Sequence, residues 1–161
     1  MQRRSLPLIL AVALASPLAV LAAEGGHNHG DHGATPAIQL NNGQKWASDA
    51  PLRQGMNAIH ASTQKMLQRA HSKQASAADY AAFDKQVNTQ INYIIKNCKL
   101  EPKADAQLHG LIAQMMQGSE MTKGKQGNAK RADGVVSVAK ALNTYGDYFS
   151  HPGWKKINVG H

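Results

Sequence analysis

Three histidines near the amino terminus are the residues with the clearest capacity for chemistry. His27, His29 and His32 form an H-x-H-x-x-H cluster, with Asp31 between the last two. Neutral imidazoles on a flexible backbone can meet at a single Cu(II), Zn(II) or Ni(II) ion. The cluster therefore predicts capture of a transition metal. The alternative interpretation is a solubilising linker whose histidines bind nothing.

Two soft side chains further along the chain extend this chemistry. Met56 and Cys98 fall on the apolar faces of two predicted helices, and a methionine–cysteine pair suits Cu(I). Each also has a structural interpretation, because an inward methionine or cysteine is an ordinary core residue. As the only thiol of an exported chain, Cys98 has the further alternative of pairing between two chains. Copper is the expected ion, with zinc and nickel as alternatives.

Catalytic motifs are missing from the sequence. It has no H-E-x-x-H, no E-x-x-H di-iron pattern and no G-x-S-x-G, and no glycine loop joins a strand to a helix. The 10 acidic residues fall at predicted helix caps or on outer faces. We therefore expect that the protein is not an enzyme.

The first 23 residues have the pattern of a secretory signal. Two arginines precede an apolar run that ends in small residues, and two prolines interrupt this run, which argues against a membrane anchor. Cleavage is predicted after Ala22 or Ala23. We expect a periplasmic protein that makes no stable insertion into the membrane.

The charge balance is basic, with a formal net charge of +8. Removal of the two signal arginines leaves 16 basic and 10 acidic residues, a net charge of +6. The lysines are scattered along predicted helix exteriors, which is typical of a solvated surface. Export argues against nucleic acid as a partner.

Residues 24–47 predict a disordered, histidine-rich tail, because they are rich in Gly, His and Asn and lack hydrophobic periodicity. The predicted helical domain covers residues 48–154. A short C-terminal tail, 155–161, follows it.

Four segments of this domain carry apolar residues at alternating spacings of three and four, the pattern of amphipathic helices. The predicted inward positions are Leu52, Met56, Ile59, Thr63, Met66 and Ala70; Tyr80, Phe83, Val87, Ile91, Ile94 and Cys98; Ala104, Leu108, Leu111, Ile112 and Met115; and Val135, Val138, Leu142, Tyr145 and Phe149.

Caps and glycines predict where these helices begin, end and approach each other. The first helix is expected to begin near Ser48 or Asp49, and Ser76 and Asp79 resemble a capping box for the second. The third is expected to end at Gly118. Gly134 and Gly146 weaken the fourth helix, so each is expected to mark a close approach by another element.

Four helices of similar length joined by short turns predict an all-α fold, an antiparallel up-down-up-down four-helix bundle. This topology brings six residues of interest toward one pole, with Trp46 and Trp154 beside them. The six are Met56, His60, Cys98, His109, Tyr145 and His151.

An inward methionine in LRQGMNAI and a late histidine in YGDYFSHPGW give the chain a resemblance to a known family. It resembles the four-helix periplasmic cytochromes, the c-prime and soluble b-type groups. The resemblance to the b-type group implies heme b held by Met56 and His151, in a noncovalent electron carrier. The c-prime heme attachment motif, C-x-x-C-H, is missing, which excludes covalent heme.

His151 lies two residues after Phe149, about 200° around a helix. It therefore faces away from the apolar stripe unless the helix unwinds before Pro152.

A third hypothesis, besides metal handling and heme binding, is a metal-free structural or adaptor bundle that binds another protein of the cell envelope.

Overall fold

A computed structural model describes residues 37–125 and 127–160 of the chain. Within these ranges it has four helices: α1, Ala50–His71; α2, Ala77–Asn97; α3, Pro102–Met121; and α4, Asn128–Tyr148. No β-strand occurs in the same ranges, so the predicted all-helical, four-helix architecture is confirmed. The predicted signal peptide and the histidine cluster lie outside the described residues. No helix of the described part is long and apolar enough to cross a membrane.

Neighbouring helices run antiparallel and close a ring. α1 packs on α2 and α4, and α3 packs on the same two helices. Asp49, just before α1, binds the backbone of Lys99, just after α2. At the other end, Ser119 near the end of α3 donates a hydrogen bond to Asp84 near the start of α2. We call the end that holds the start of α1 and the end of α4 the imidazole pole, and the opposite end the carboxylate pole.

Side-chain caps begin the first two helices where the sequence predicts them. The Asp49 carboxylate accepts a hydrogen bond from the Leu52 N–H at 2.8 Å. Ser76 and Asp79 form the predicted capping box, each side chain accepting a hydrogen bond from the backbone N–H of the other. These caps satisfy N–H groups that have no partner inside the helix.

The predicted inward positions form the core. All of them are buried except Ala70 and Cys98, and both exceptions are partly buried. Burial of each large apolar side chain contributes about 2 kcal/mol to stability. The periodic stripes therefore supply the driving force that assembles the four helices.

Cys98 departs from its expected inward position. α2 ends at Asn97, and Cys98 is the C-cap residue with an extended ψ of 138°. Because the backbone leaves the helical path there, the thiol turns away from the stripe and toward Asp49.

α3 continues three residues past its predicted end at Gly118. Gly118 lies where α3 crosses α4 at Gly134, and it does not end the helix. A Cβ added at Gly134 would lie 2.5 Å from the Gly118 carbonyl oxygen, so only glycine allows the two backbones to come this close. The close approach predicted at Gly134 is therefore confirmed.

Chain segments on both sides of the four helices pack on them. Trp46 is buried and exchanges backbone hydrogen bonds of 2.8 Å with Tyr148 and Ser150. On the C-terminal side, Trp154 lies over Gly146, which confirms the second predicted close approach, and Ile157 is buried. The packed region therefore extends beyond residues 48–154 in both directions. The sequence does not predict this extension, because Trp46 and Ile157 are single apolar residues among polar ones and show no hydrophobic periodicity.

Candidate functional site

Asp49 joins the first two helices at the imidazole pole. Its Oδ1 caps α1, and its Oδ2 accepts the Lys99 N–H at 2.6 Å. The Cys98 thiol donates to the same carboxylate, with Sγ 3.4 Å from Oδ1. Burial acts to raise the pKa of Asp49, but these donors and the nearby Arg53 together hold it below the usual 3.8. The carboxylate is therefore charged at neutral pH and holds α1 against the end of α2.

The Cys98 thiol is protonated at neutral pH. Burial raises its pKa to about 12, and the negative charge and hydrogen bond of Asp49 add to the effect, as does the charge of Asp105. A protonated thiol is a poor nucleophile and a poor ligand. An ion that binds Cys98 must therefore displace the thiol proton.

A cluster of aromatic and imidazole rings surrounds the end of α4. Tyr145 stacks on Phe149 with ring centroids 5.3 Å apart, and its hydroxyl lies 3.0 Å from Nδ1 of His151. The Trp154 ring contacts His60, Tyr145 and His151 at centroid distances of 4.7, 4.9 and 4.8 Å. α1, α4 and the chain after α4 each contribute a ring, so this cluster joins all three.

His151 reaches the cluster because α4 ends before it. The helix stops at Tyr148, and Phe149 is extended with a ψ of 139°. This is the unwinding before Pro152 that the sequence requires for His151 to turn inward. The His151 side chain then points back to Tyr145, which lies in the last turn of α4.

Tyr145 and His151 are both uncharged at neutral pH. Burial raises the pKa of the Tyr145 hydroxyl. Burial lowers the pKa of His151 below the usual 6.5, and the positive charges of Arg53 and His60 lower it further. Their hydrogen bond therefore joins two neutral groups.

A second set of ligating atoms lies in a surface groove between α2 and α3, which we call the α2–α3 groove. Cys98, Asp105 and His109 line it together with apolar side chains, and its volume is about 430 Å³. Nδ1 of His109 lies 2.8 Å from the carbonyl oxygen of Asp105. Because a carbonyl only accepts, Nδ1 carries a hydrogen, so Nε2 is the nitrogen that a neutral imidazole would offer to an ion. The groove thus contains one imidazole and one thiol.

The structure brings together some of the residues expected at this pole. His60, Tyr145 and His151 meet around Trp154, whereas His109 lies apart on α3. Met56 is completely buried in the core.

The described contacts do not join Met56 to Cys98. Cys98 lies against Asp49, seven residues before Met56, and seven residues span about 10 Å along an α-helix. A shared Cu(I) ion therefore requires one of these side chains to move. Heme held by Met56 and His151 would have to displace the core side chains around Met56 and break the hydrogen bond between Tyr145 and His151.

Metal-ligating side chains are not preassembled in the described part of the chain. In residues 37–125 and 127–160, no three His, Cys, Asp or Glu side chains are grouped so that they could hold an ion. His27, His29 and His32 lie outside these ranges, so their metal site stays a prediction.

Sequence reasoning missed two features of this region. Asp105 and His109 are four residues apart, a spacing that places both on one face of a helix. This spacing could have predicted their contact from the sequence. Asp49 was expected only as a cap, yet it also binds the end of α2. No local sequence pattern predicts this second role, because the residues that Asp49 binds at the end of α2 lie about fifty positions later in the chain.

Comparison of the chain with family models finds no match, and comparisons with curated proteins and with solved structures find none either.

Proposed function

We propose that this chain is an exported, non-enzymatic protein of the periplasm that handles a transition metal, with copper as the expected ion. The observation that carries the proposal is the cluster of His27, His29 and His32 directly after a predicted secretory signal. Imidazoles at this spacing suit Cu(II), with Zn(II) and Ni(II) as alternatives.

The α2–α3 groove supports the same proposal from the bundle itself. Cys98 supplies a soft sulfur and His109 a borderline nitrogen, a combination that suits Cu(I). An ion in the groove would displace the thiol proton and offset the negative charges of Asp49 and Asp105, which raise the pKa of Cys98 in its absence.

Metal titration of the mature protein tests the proposal. Affinities for Cu(II) and Zn(II) are measured by calorimetry, and affinity for Cu(I) by competition with a chromophoric chelator. A triple variant, H27A/H29A/H32A, removes the tail cluster, and a double variant, C98S/H109A, removes the groove ligands. H71A is the matched control, because His71 is an exposed imidazole on α1 outside both sets.

We expect the triple variant to lose at least about tenfold in Cu(II) affinity, and the double variant to lose Cu(I) affinity by a similar factor. H71A should match the unmodified protein. The proposal is overturned if the unmodified protein binds none of these ions more tightly than about 1 mM. If the triple variant kept the Cu(II) affinity of the unmodified protein, the histidine cluster would be excluded as the metal-binding site.

An adaptor that binds an envelope protein is the second candidate function. Ile95 and Met116 are 61% and 46% exposed, which is unusual for large apolar side chains. Ile95 lines the α2–α3 groove, and Met116 lies one turn after Ile112 of the same groove. Recovery of an envelope protein by the mature chain in the presence of a metal chelator, and its loss in I95K/M116K, would favour this function.

A visible spectrum tests the heme b alternative. A Soret band after heme addition that disappears in M56A and in H151A would support it, and no Soret band would remove it.

A further inference from the structure

A cavity of about 160 Å³ lies between α1 and α2 near the carboxylate pole, and we call it the α1–α2 cavity. Its polar wall is formed by Ser62, Lys65 and Arg69, which lie on one face of α1 at spacings of three and four residues. Lys65 and Arg69 are both positively charged, and like charges one turn apart destabilise a helix. The wall therefore favours a negatively charged occupant.

The hydrogen-bond donors of this wall lack acceptors. In the part of the chain that the structure describes, neither the Ser62 hydroxyl nor the Lys65 ammonium makes a hydrogen bond or an ion pair. The Nε–H of Arg69 is buried and has no acceptor in the same ranges. A buried donor without an acceptor costs stability, so a native protein that keeps one commonly holds a water, an ion or a ligand beside it. An acceptor that enters the cavity would meet these three donors of α1.

Asp79, the carboxylate on the cavity wall, is already bonded. It accepts hydrogen bonds from the backbone N–H of Ser76 at 2.8 Å, from the Ser76 hydroxyl at 2.7 Å and from Nη2 of Arg69 at 2.8 Å. Two cations against this one carboxylate leave the wall with a net charge of +1. Lys65 has no counter-charge, so it is the group that an added anion would neutralise.

The remaining wall of the cavity is apolar. Met66 of α1 and Ala82 and Phe83 of α2 form it, and both Met66 and Phe83 are buried. A cavity of about 150 Å³ is large enough to hold a benzene molecule. The α1–α2 cavity therefore has room for one small ring or a short alkyl chain, with hydrogen-bond donors along one side.

We propose that the α1–α2 cavity binds a small monocarboxylic acid: its carboxylate meets the three donors of α1, and its apolar body packs on Met66 and Phe83. An ionised carboxylate accepts strong hydrogen bonds from ammonium and guanidinium groups. A dicarboxylic acid fits less well, because its second charge would lie against the apolar wall without a partner. None of these residues is a metal ligand in the function proposed above, so the site is independent of that function.

NMR titration of the isotope-labelled mature protein with benzoate at pH 7.5 tests the site. We expect saturable shifts of the amide signals of Ser62, Ala82 and Phe83, with a Kd of about 1 mM for a ligand of this size. Ile112 in the α2–α3 groove reports on non-specific binding and should not shift. Benzyl alcohol has the same ring without the charge and should bind at least about tenfold more weakly.

Two pairs of variants assign the effect to the cavity. K65Q removes the cation that has no counter-charge and should weaken benzoate binding about tenfold, whereas K85Q replaces an exposed lysine of α2 outside the cavity and should have no effect. A82L fills the cavity, keeps all three donors and should abolish binding. A81L adds the same side chain at the neighbouring exposed position, outside the cavity, and should bind as the unmodified protein does. Leucine is favourable in a helix, so both leucine variants should fold.

The site is overturned if benzoate causes no saturable shift below about 10 mM, tenfold above the expected Kd. Equal binding of benzyl alcohol would show that the charged donors play no part, and unchanged affinity in A82L would show that benzoate binds elsewhere. Either result also overturns the proposal. Shifts of Ile112 as large as those of Phe83 would indicate non-specific binding and would do the same.

Discussion

At the carboxylate pole the helices are joined by charged groups, whereas at the imidazole pole many of the joining side chains are neutral and titratable. Arg69 of α1 and Asp79 of α2 form an ion pair at 2.8 Å, and Lys123 lies 3.7 Å from Asp84. The corresponding contacts at the other pole join Tyr145 to His151 and pack both rings against Trp154, Tyr145 edge-on and His151 tilted.

The carboxylates of the carboxylate pole are well supplied with hydrogen-bond donors. Asp84 accepts from Ser119 at 2.6 Å and from Asn88 at 2.9 Å. Hydrogen bonds from Ser76, then from Arg69, lower the pKa of Asp79 to about 2. Asp79 therefore keeps its charge through the whole range in which histidine titrates.

The two poles therefore differ in the kind of side chain that joins the helices. His60, His151 and Cys98 pack against other elements at the imidazole pole, and Cys98 also lines the adjoining α2–α3 groove.

Alkylation of Cys98 tests how strongly Asp49 suppresses its reactivity. With a pKa of about 12, the thiol should react with iodoacetamide at pH 8 about a hundredfold more slowly than an ordinary cysteine. D49N removes the nearby charge and should increase the rate at least about tenfold. D79N, at the opposite pole, should leave the rate unchanged. A rate equal to that of glutathione in the unmodified protein would contradict the assignment.

Two glycine substitutions compare a rigid crossing with a movable one. G134A places a Cβ against the Gly118 backbone, which cannot yield, so it should cost about 2 kcal/mol in urea unfolding despite the better helix propensity of alanine. G146A meets the Trp154 side chain in the segment after α4, which can move. We expect the free energy of unfolding of G146A to change by no more than about 0.5 kcal/mol, with a loss of amide hydrogen-exchange protection at Ile157 instead. Equal losses of stability in the two variants would show that residues 151–160 are not separable from the bundle.

Cap substitutions compare the starts of α1 and α2. D49A removes the cap of α1 and the acceptor for the Lys99 N–H, so it should lower the free energy of unfolding by about 2 kcal/mol. S76A removes the cap of α2 alone and should cost about 1 kcal/mol. Urea denaturation of both variants measures the difference. A larger loss in S76A would mean that Asp49 does not join the helices.

Acid titration should loosen the two poles at different pH values. The Asp79 carboxylate contributes stability fully above its ordinary pKa of 3.8, and this is lost only as the pH falls through about 2. The Asp79 amide, bonded to Ser76 Oγ, should therefore stay protected from hydrogen exchange from pH 6 to pH 4, while the His151 ring, observed by NMR, takes up its proton below pH 6.5. Loss of Asp79 protection in step with protonation of His151 would show that the two poles respond together.

Some elements of the fold were predictable because their causes are local. The capping box joins Ser76 to Asp79, three positions later, and the buried stripe of α2 repeats within each turn, so both can be identified in the sequence. Gly118 was misread as a helix end because glycine favours both helix ends and helix crossings. Only the position of Gly134 on the facing helix distinguishes the two.

The candidate site was less predictable than the fold. His60, Tyr145 and His151 were correctly expected at one pole, because the antiparallel order of the helices places them there. The partner of Cys98 was not foreseen, because a change in direction at the end of α2 sends the thiol toward Asp49 and away from Met56.

The sequence by itself determined four amphipathic helices, their caps and the residues that form the core, since these depend on interactions within about one helical turn. Only the tertiary structure decided that Asp49 binds Lys99, fifty residues later, and that His60 holds the carbonyl of Lys155, ninety-five residues later. Such contacts arise because packing of the stripes brings distant backbone groups together, and no local pattern encodes which groups will meet.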